Sequence, residues 1–231
     1  MIETEWLACD NPKTMLDFLG KRASKRKLRL FACACCRTQW DQLLDDDVRK
    51  TVSAAERYAD GLIRDSTVTS WYRRTMHARD RLRSSDYSLG ELYQAVIEAA
   101  LPDQYLDRVA MTYWHVAAAG ASATAARHWD AAALQAAQEK VLATFAPLLR
   151  DILGNPFHTV ALDPLWMTWN DGTIPKLAQA IYDERAHDRL PILGDALEDA
   201  GCTDTEILSH CRGPGPHVRG CWIVDLLLGL A

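Results

Sequence analysis

Apolar residues recur at every third or fourth position along most of this chain, which is the spacing of one face of an α-helix. Two such stripes are clearest: Leu30, Cys33, Cys36, Trp40 and Leu44, and then Leu134, Val141, Phe145, Leu148 and Ile152. No run alternates apolar and polar residues in the manner of a half-buried strand. The pattern predicts an all-α fold, a multi-helix bundle-like domain with a small C-terminal helical subdomain.

Residues that stop helices divide the chain after residue 153. The segment 154–156, Gly-Asn-Pro, follows the second stripe and is typical of a helix end. Residues 157–171 show no helical period, and short helical stripes resume after Gly172. We therefore expect an N-terminal helical domain over 1–153, an ordered linker over 154–172 and a C-terminal helical subdomain over 173–231. The two helical parts are expected to pack together, or to form one domain.

Composition and charge exclude several classes of protein. A chain of 231 residues, 48% of them hydrophobic, can bury a core that needs no metal or disulfide. The net charge of −5 argues against wholesale nucleic-acid binding. The apolar run 222–230 contains Asp225 and is far too short to cross a membrane. Seven cysteines, three of them nearly adjacent, and a polar, acidic start favour a reduced cytoplasmic protein over a secreted one.

The C-terminal region is rich in Cys and His. Zinc in proteins takes thiolate sulfur and imidazole nitrogen as ligands, in a tetrahedral arrangement. His217 and Cys221 are one helical turn apart, and two Gly and two Pro in 213–216 turn the chain just before them. The candidate ligands of a zinc ion are Cys202, His210, Cys211, His217 and Cys221.

The same five residues also fit a purely structural role. They contain no Cys-x-x-Cys pair, and the adjacent His210 and Cys211 are awkward to aim at one ion. Unpaired cysteine is among the most buried residue types, so these cysteines can be core residues while each His hydrogen bonds locally. A third alternative is a Cys221 nucleophile with His217 as its base, for which the sequence supplies no third orienting group.

A second group of cysteines lies within the first apolar stripe. Cys33 and Cys36 have Cys-x-x-Cys spacing, but Arg37 stands where haem attachment requires His. A redox dithiol usually opens a helix beside a strand, whereas these residues lie in the middle of a predicted helix. We expect them to be core residues.

Basic residues concentrate on two predicted helical segments. Aromatic residues are interleaved with the second set, and such surfaces can hold phosphates or stack bases. The alternative is a pair of solvated helix faces matched by the many Asp and Glu residues, which the acidic net charge favours. The candidate nucleic-acid contacts are Lys25, Arg26, Lys27, Arg73, Arg74 and Arg79.

Segments at both ends of the chain carry a resemblance to a known group of proteins. They include 5–8, 27–33, 151–157, 181–185, 188–193, 195–202 and 217–222. In these segments the chain resembles an expanded, uncharacterised family of planctomycete bacterial proteins. Residues 177–181 and 195–201 also loosely resemble the short planctomycete repeat-companion domain, which implies an accessory or interaction module more than a catalyst.

These observations lead to one functional expectation and two alternatives. We expect a non-catalytic, all-α interaction or scaffold protein of the bacterial cytoplasm, acting on a protein partner and without a cofactor. The sequence holds no Gly-x-Ser-x-Gly and no His-Glu-x-x-His, so an enzyme is not the favoured interpretation. The alternatives are a zinc-binding protein that uses the C-terminal Cys and His residues, and a nucleic-acid-associated accessory protein that uses the basic helices.

Overall fold

The computed structural model describes residues 1–82, 86–125 and 131–230. Every regular element among them is a helix, which confirms the all-α prediction. None of these helices is both long and apolar enough to cross a membrane. The α-helices are α1 (Glu3–Ala8), α2 (Pro12–Leu19), α3 (Lys25–Arg37), α4 (Asp46–Ala59), α5 (Asp65–Asp80), α6 (Tyr87–Ala99), α7 (Leu106–Ala110), α8 (Thr112–Ala125), α9 (Ala131–Ala143), α10 (Phe145–Leu153), α11 (Pro164–Thr168), α12 (Thr173–Glu184), α13 (Leu190–Asp199), α14 (Thr205–Arg212) and α15 (Trp222–Leu228).

The chain forms two compact units. The large unit consists of residues 8–149, and the C-terminal unit consists of residues 150–231 together with residues 1–7. Part of the segment predicted as a linker is helical, since α11 lies within it. Asp163 caps this helix by accepting a hydrogen bond from the Leu165 amide at 2.8 Å. A 3₁₀ turn at Trp169–Gly172 then leads into α12.

The central helix of the large unit is α3, which packs against α4, α6, α7 and α8. Ser24 caps it, since its hydroxyl accepts a hydrogen bond from the Lys27 amide at 3.2 Å. Cys33, Cys35 and Cys36 are free cysteines in its C-terminal half, where every residue from Arg29 to Cys36 is buried, and each is no more than 1% exposed. Burial raises the pKa of all three thiols well above the usual value, so they are neutral residues of the core.

The first apolar stripe ends earlier than its spacing predicts. Helix α3 stops at Arg37, and a 3₁₀ turn follows at Trp40–Gln42. This turn changes the direction of the chain, so that Leu43 is fully buried while Leu44 is 80% exposed. The prediction that Leu44 continues the buried face of this helix is therefore wrong.

The core of the C-terminal unit lies among α12, α13, α14 and α15. Helix α12 packs against α13 and α15, and α13 packs against α14. Residues 1–7 join this unit through a buried Trp6, whose carbonyl accepts a hydrogen bond from Arg150 Nη1 at 3.3 Å. The buried residues include Ile174, Ala178, Ile181, Leu190, Leu193, Leu197, Cys202, Ile207, Cys211, Cys221, Ile223, Val224 and Leu227.

Candidate metal centre

Four potential metal ligands of the C-terminal unit converge on one point. They are Asp151 in the last turn of α10, His210 in α14, His217 in the loop that follows, and Cys221 at the start of α15. One ligand atom from each residue can be chosen so that all four atoms lie within 4.8 Å of one another. The described part of the chain thus brings an oxygen, two nitrogens and a sulfur together.

Local capping and turn signals place His210 and His217. Asp204 caps α14, with its carboxylate accepting hydrogen bonds from the amides of Glu206 at 2.8 Å and Ile207 at 3.2 Å. After α14 the chain must reverse, and Gly215 supplies a φ of +81° at a position where a Cβ would lie 3.0 Å from the His217 amide nitrogen. This reversal brings His217 back beside α14, with the His210 and His217 ring centroids 4.8 Å apart.

Asp151 is the centre of the hydrogen-bond network. Its Oδ1 lies 2.8 Å from His217 Nδ1 and 3.2 Å from His210 Nε2, and its Oδ2 accepts a hydrogen bond from the Val218 amide at 2.9 Å. Burial by itself would raise the pKa of this carboxyl, but the hydrogen bonds from His210 and His217 outweigh burial, and the pKa lies below its usual value. The carboxylate is therefore a buried anion that two imidazoles face.

The second nitrogen of each imidazole has a different kind of partner. His217 Nε2 faces the Gly213 carbonyl oxygen at 3.4 Å, which accepts a hydrogen bond. His210 Nδ1 accepts a hydrogen bond from Trp222 Nε1 at 3.2 Å. Although burial lowers the pKa of His217, its hydrogen bond and charge interaction with Asp151 outweigh burial and raise it above the usual value.

Cys221 does not have the surroundings of a nucleophile. Its sulfur lies 3.2 Å from His210 Nε2, and the residue is 1% exposed. Burial and then the charge of Asp151 raise the pKa of the thiol well above its usual value, whereas a nucleophilic cysteine needs a thiolate. A bound cation would reverse that preference, because it stabilises the thiolate directly.

The structure separates the five predicted ligands into two groups. His210, His217 and Cys221 meet at Asp151, whereas Cys202 and Cys211 belong to the hydrophobic core of the unit. A Cβ on Gly194 of α13 would lie 2.9 Å from the Cβ of Cys211, so this cysteine fills the contact between two helices. Cys202 and Cys211 therefore have the structural role that the sequence left open for them.

Asp151 is the member of the cluster that sequence reasoning missed. Asp151 follows Leu148 by three positions and precedes Ile152, so it lies within the strong apolar stripe of α10. A carboxylate at such a position must find a partner or reach solvent, because burying an unpaired charge is costly. A carboxylate within an apolar stripe is thus the sequence feature that marks Asp151 as unusual. It does not identify the partner of the carboxylate.

Most of the candidate nucleic-acid contacts are engaged with acidic residues. Lys25 lies 3.4 Å from Asp103, Arg26 lies 2.9 Å from Asp60, Arg74 lies 3.6 Å from Asp47, and Arg79 lies 3.4 Å from Asp80. Arg73 is exposed and Lys27 is partly exposed. The groove beside α5, about 520 Å³ in volume, is lined by both signs of charge: Asp47, Arg74, His77, Asp80 and Arg81.

Comparison with protein-family models, with curated proteins and with solved structures yields no match. The resemblance to a planctomycete family therefore stays a prediction.

Proposed function

We propose that this protein binds a zinc ion through Asp151, His210, His217 and Cys221, and that the ion stabilises the C-terminal unit. The observation that supports the proposal is the convergence of these four side chains from α10, α14, the loop after α14 and the residue just before α15. Three of them come from the Cys- and His-rich region that supplies the candidate zinc ligands of the sequence.

The chemistry of the four side chains favours zinc over other divalent ions. Thiolate and imidazole ligands select zinc, whereas calcium and magnesium require mainly oxygen ligands. Zinc bonds of about 2.0–2.3 Å place the ligand atoms of one tetrahedral site within roughly 4 Å of one another. The four ligand atoms of this cluster lie within 4.8 Å of one another, so small side-chain movements suffice to bring all four to one ion.

The arrangement supports a structural ion rather than a catalytic one. Four protein ligands fill a tetrahedral site, while a catalytic zinc keeps one position for water or substrate. The Cys221 and Asp151 side chains are buried, and the His217 side chain is only 11% exposed. An ion here would tie α10, α14 and the start of α15 together, which agrees with a non-catalytic helical scaffold.

The first experiment is to measure zinc per chain by plasma mass spectrometry, on protein purified without an affinity metal column. We expect about one zinc ion per chain, and we expect chelation to lower the thermal stability of the protein. Absence of zinc, both as purified and after incubation with zinc chloride and gel filtration, would reject the site.

Two matched variants test which residues hold the ion. Cys221→Ser removes a proposed ligand, and Cys211→Ser makes the same chemical change at a buried cysteine outside the cluster. We expect Cys221→Ser to lose zinc and Cys211→Ser to keep it, even if both variants lose stability. Equal zinc content in the two variants would contradict the proposal.

A further inference from the structure

The hydrogen bond between Trp222 and His210 sets the tautomer of that histidine. Indole nitrogen is only a donor, so the nitrogen that it faces, His210 Nδ1 at 3.2 Å, has to be the acceptor. A neutral imidazole with an unprotonated Nδ1 carries its proton on Nε2. That proton points toward the cluster, where Asp151 Oδ1 and Cys221 Sγ each lie 3.2 Å from Nε2.

This tautomer conflicts with metal coordination. A zinc ion in the cluster needs the lone pair of His210 Nε2, and a neutral imidazole that coordinates through Nε2 carries its proton on Nδ1. The Nδ1 proton would then oppose the indole N–H of Trp222, with two donors facing each other across 3.2 Å.

His217 shows the contrasting arrangement. Its Nδ1 faces the cluster, and its Nε2 lies 3.4 Å from the Gly213 carbonyl oxygen, which can only accept. This is the usual arrangement in zinc sites, where the second nitrogen of a ligating histidine donates to a carbonyl or carboxylate. His210 is therefore the one imidazole of the cluster whose second nitrogen faces a donor.

We propose that Trp222 is a positioning residue of the zinc site, which holds His210 in the tautomer that does not bind metal. This inference rests on the proposed zinc site. Zinc coordination by His210 then requires that the hydrogen bond from the indole N–H to His210 Nδ1 is broken, so Trp222 lowers the affinity for zinc. The position of the indole becomes coupled to the presence of the ion.

The Trp222 indole contacts elements that carry the zinc ligands. Trp222 is partly exposed, and a Cβ built on Gly154 would lie 3.2 Å from its Cγ. Gly154 forms the turn that ends α10, three positions after Asp151, and Trp222 is the first residue of α15. A shift of the indole therefore acts on two of the elements that carry the ligands.

Nuclear magnetic resonance of the full, ¹⁵N-labelled chain tests the tautomer directly. In zinc-free protein we expect His210 to show an unprotonated Nδ1 and a protonated Nε2. Addition of zinc chloride should transfer the proton to Nδ1 and move the indole N–H resonance of Trp222. If zinc binds while the indole resonance and the His210 tautomer stay unchanged, the inference is wrong and the zinc site stands. If wild-type protein binds no zinc, both are wrong.

A matched pair of variants tests the effect on affinity. Trp222→Phe keeps an aromatic ring beside Gly154 and removes the N–H. Because a hydrogen bond contributes roughly 0.5–1.5 kcal/mol net, we expect this variant to bind zinc about two- to tenfold more tightly in competition with a chromophoric chelator. Trp166→Phe, at a core tryptophan outside the cluster, should leave the affinity unchanged. Equal or weaker zinc binding by Trp222→Phe would overturn the inference.

Discussion

His217 Nδ1 and Asp151 Oδ1 lie 2.8 Å apart in the C-terminal unit, with side chains only 11% and 2% exposed. The pair joins the last turn of α10 to the loop before α15. Since the pKa of Asp151 lies below its usual value and that of His217 above it, each group stabilises the charged form of the other.

Replacement of Asp151 should therefore be strongly destabilising. Asp151→Asn removes the buried anion that His210 and His217 face, and breaking a buried pair in this way costs about 3 kcal/mol. Chemical unfolding of chelator-treated protein measures this free energy without a contribution from metal. Asp195→Asn is the control, because that carboxylate pairs with Arg212 at 2.7 Å but is 68% exposed, and it should cost less than about 1 kcal/mol. Similar losses in the two variants would contradict the central role of Asp151.

Gly154 and Gly229 provide a test of the contact with Trp222. Their φ angles are nearly equal, +69° and +67°, but a Cβ at Gly154 would lie 3.2 Å from Trp222 Cγ whereas one at Gly229 would meet nothing within 4 Å. Gly229→Ala should lower the free energy of unfolding by about 1 kcal/mol, from backbone strain alone. Gly154→Ala should lower the stability further, since Trp222 must also move. Thermal unfolding of the two variants measures the difference. Equal costs would show that the indole adapts freely.

His115 of the large unit should make stability depend on pH. Its Nδ1 lies 2.8 Å from Glu91 Oε2 and its Nε2 lies 3.4 Å from Glu98 Oε2. The hydrogen bond with Glu98, followed by that with Glu91, raises the pKa of His115 above 6.5 despite the opposing effect of burial. A raised folded-state pKa means that this stabilisation is complete below pH 6.5 and is lost as the pH rises through the folded value.

Unfolding free energies measured on both sides of neutral pH test the role of His115. Wild-type protein should lose stability as the pH rises, and His115→Gln should show a flatter profile. A matched substitution, His77→Gln, changes an exposed histidine of α5 and should leave the wild-type profile intact. If His115→Gln keeps the full pH dependence, the contribution comes from other groups.

Thiol reactivity should distinguish Cys9 from the other cysteines. Cys9 is partly exposed, while the remaining six are buried, and only an accessible thiolate can attack a disulfide reagent. In the folded, chelator-treated protein we expect one fast reaction with a disulfide reagent and the rest only on unfolding. Cys9→Ser should abolish the fast reaction. Rapid labelling of Cys33 or Cys36 would show that α3 opens readily in the native protein.

Local signals in the sequence predict much of the helical framework. Apolar spacing and unpaired cysteines indicate that Cys33 and Cys36 are buried, and Gly154 ends α10 with a left-handed φ of +69°. The prediction about Leu44 is wrong because a single turn before it changes which side chain faces the core. The spacing of apolar residues predicts which side chains share a helix face only up to the residue at which the helix ends.

The sequence by itself determined the helical class of this protein, the helix stop at Gly154 and the gathering of His210, His217 and Cys221 in one short region. Tertiary structure alone decided that Asp151 joins them while Cys202 and Cys211 turn into the core. Helix periodicity and helix-stop signals depend on residues a few positions apart, so they can be read locally. The meeting of α10 with α14 and the start of α15 depends on how whole helices pack, and spacing along the chain does not contain that information.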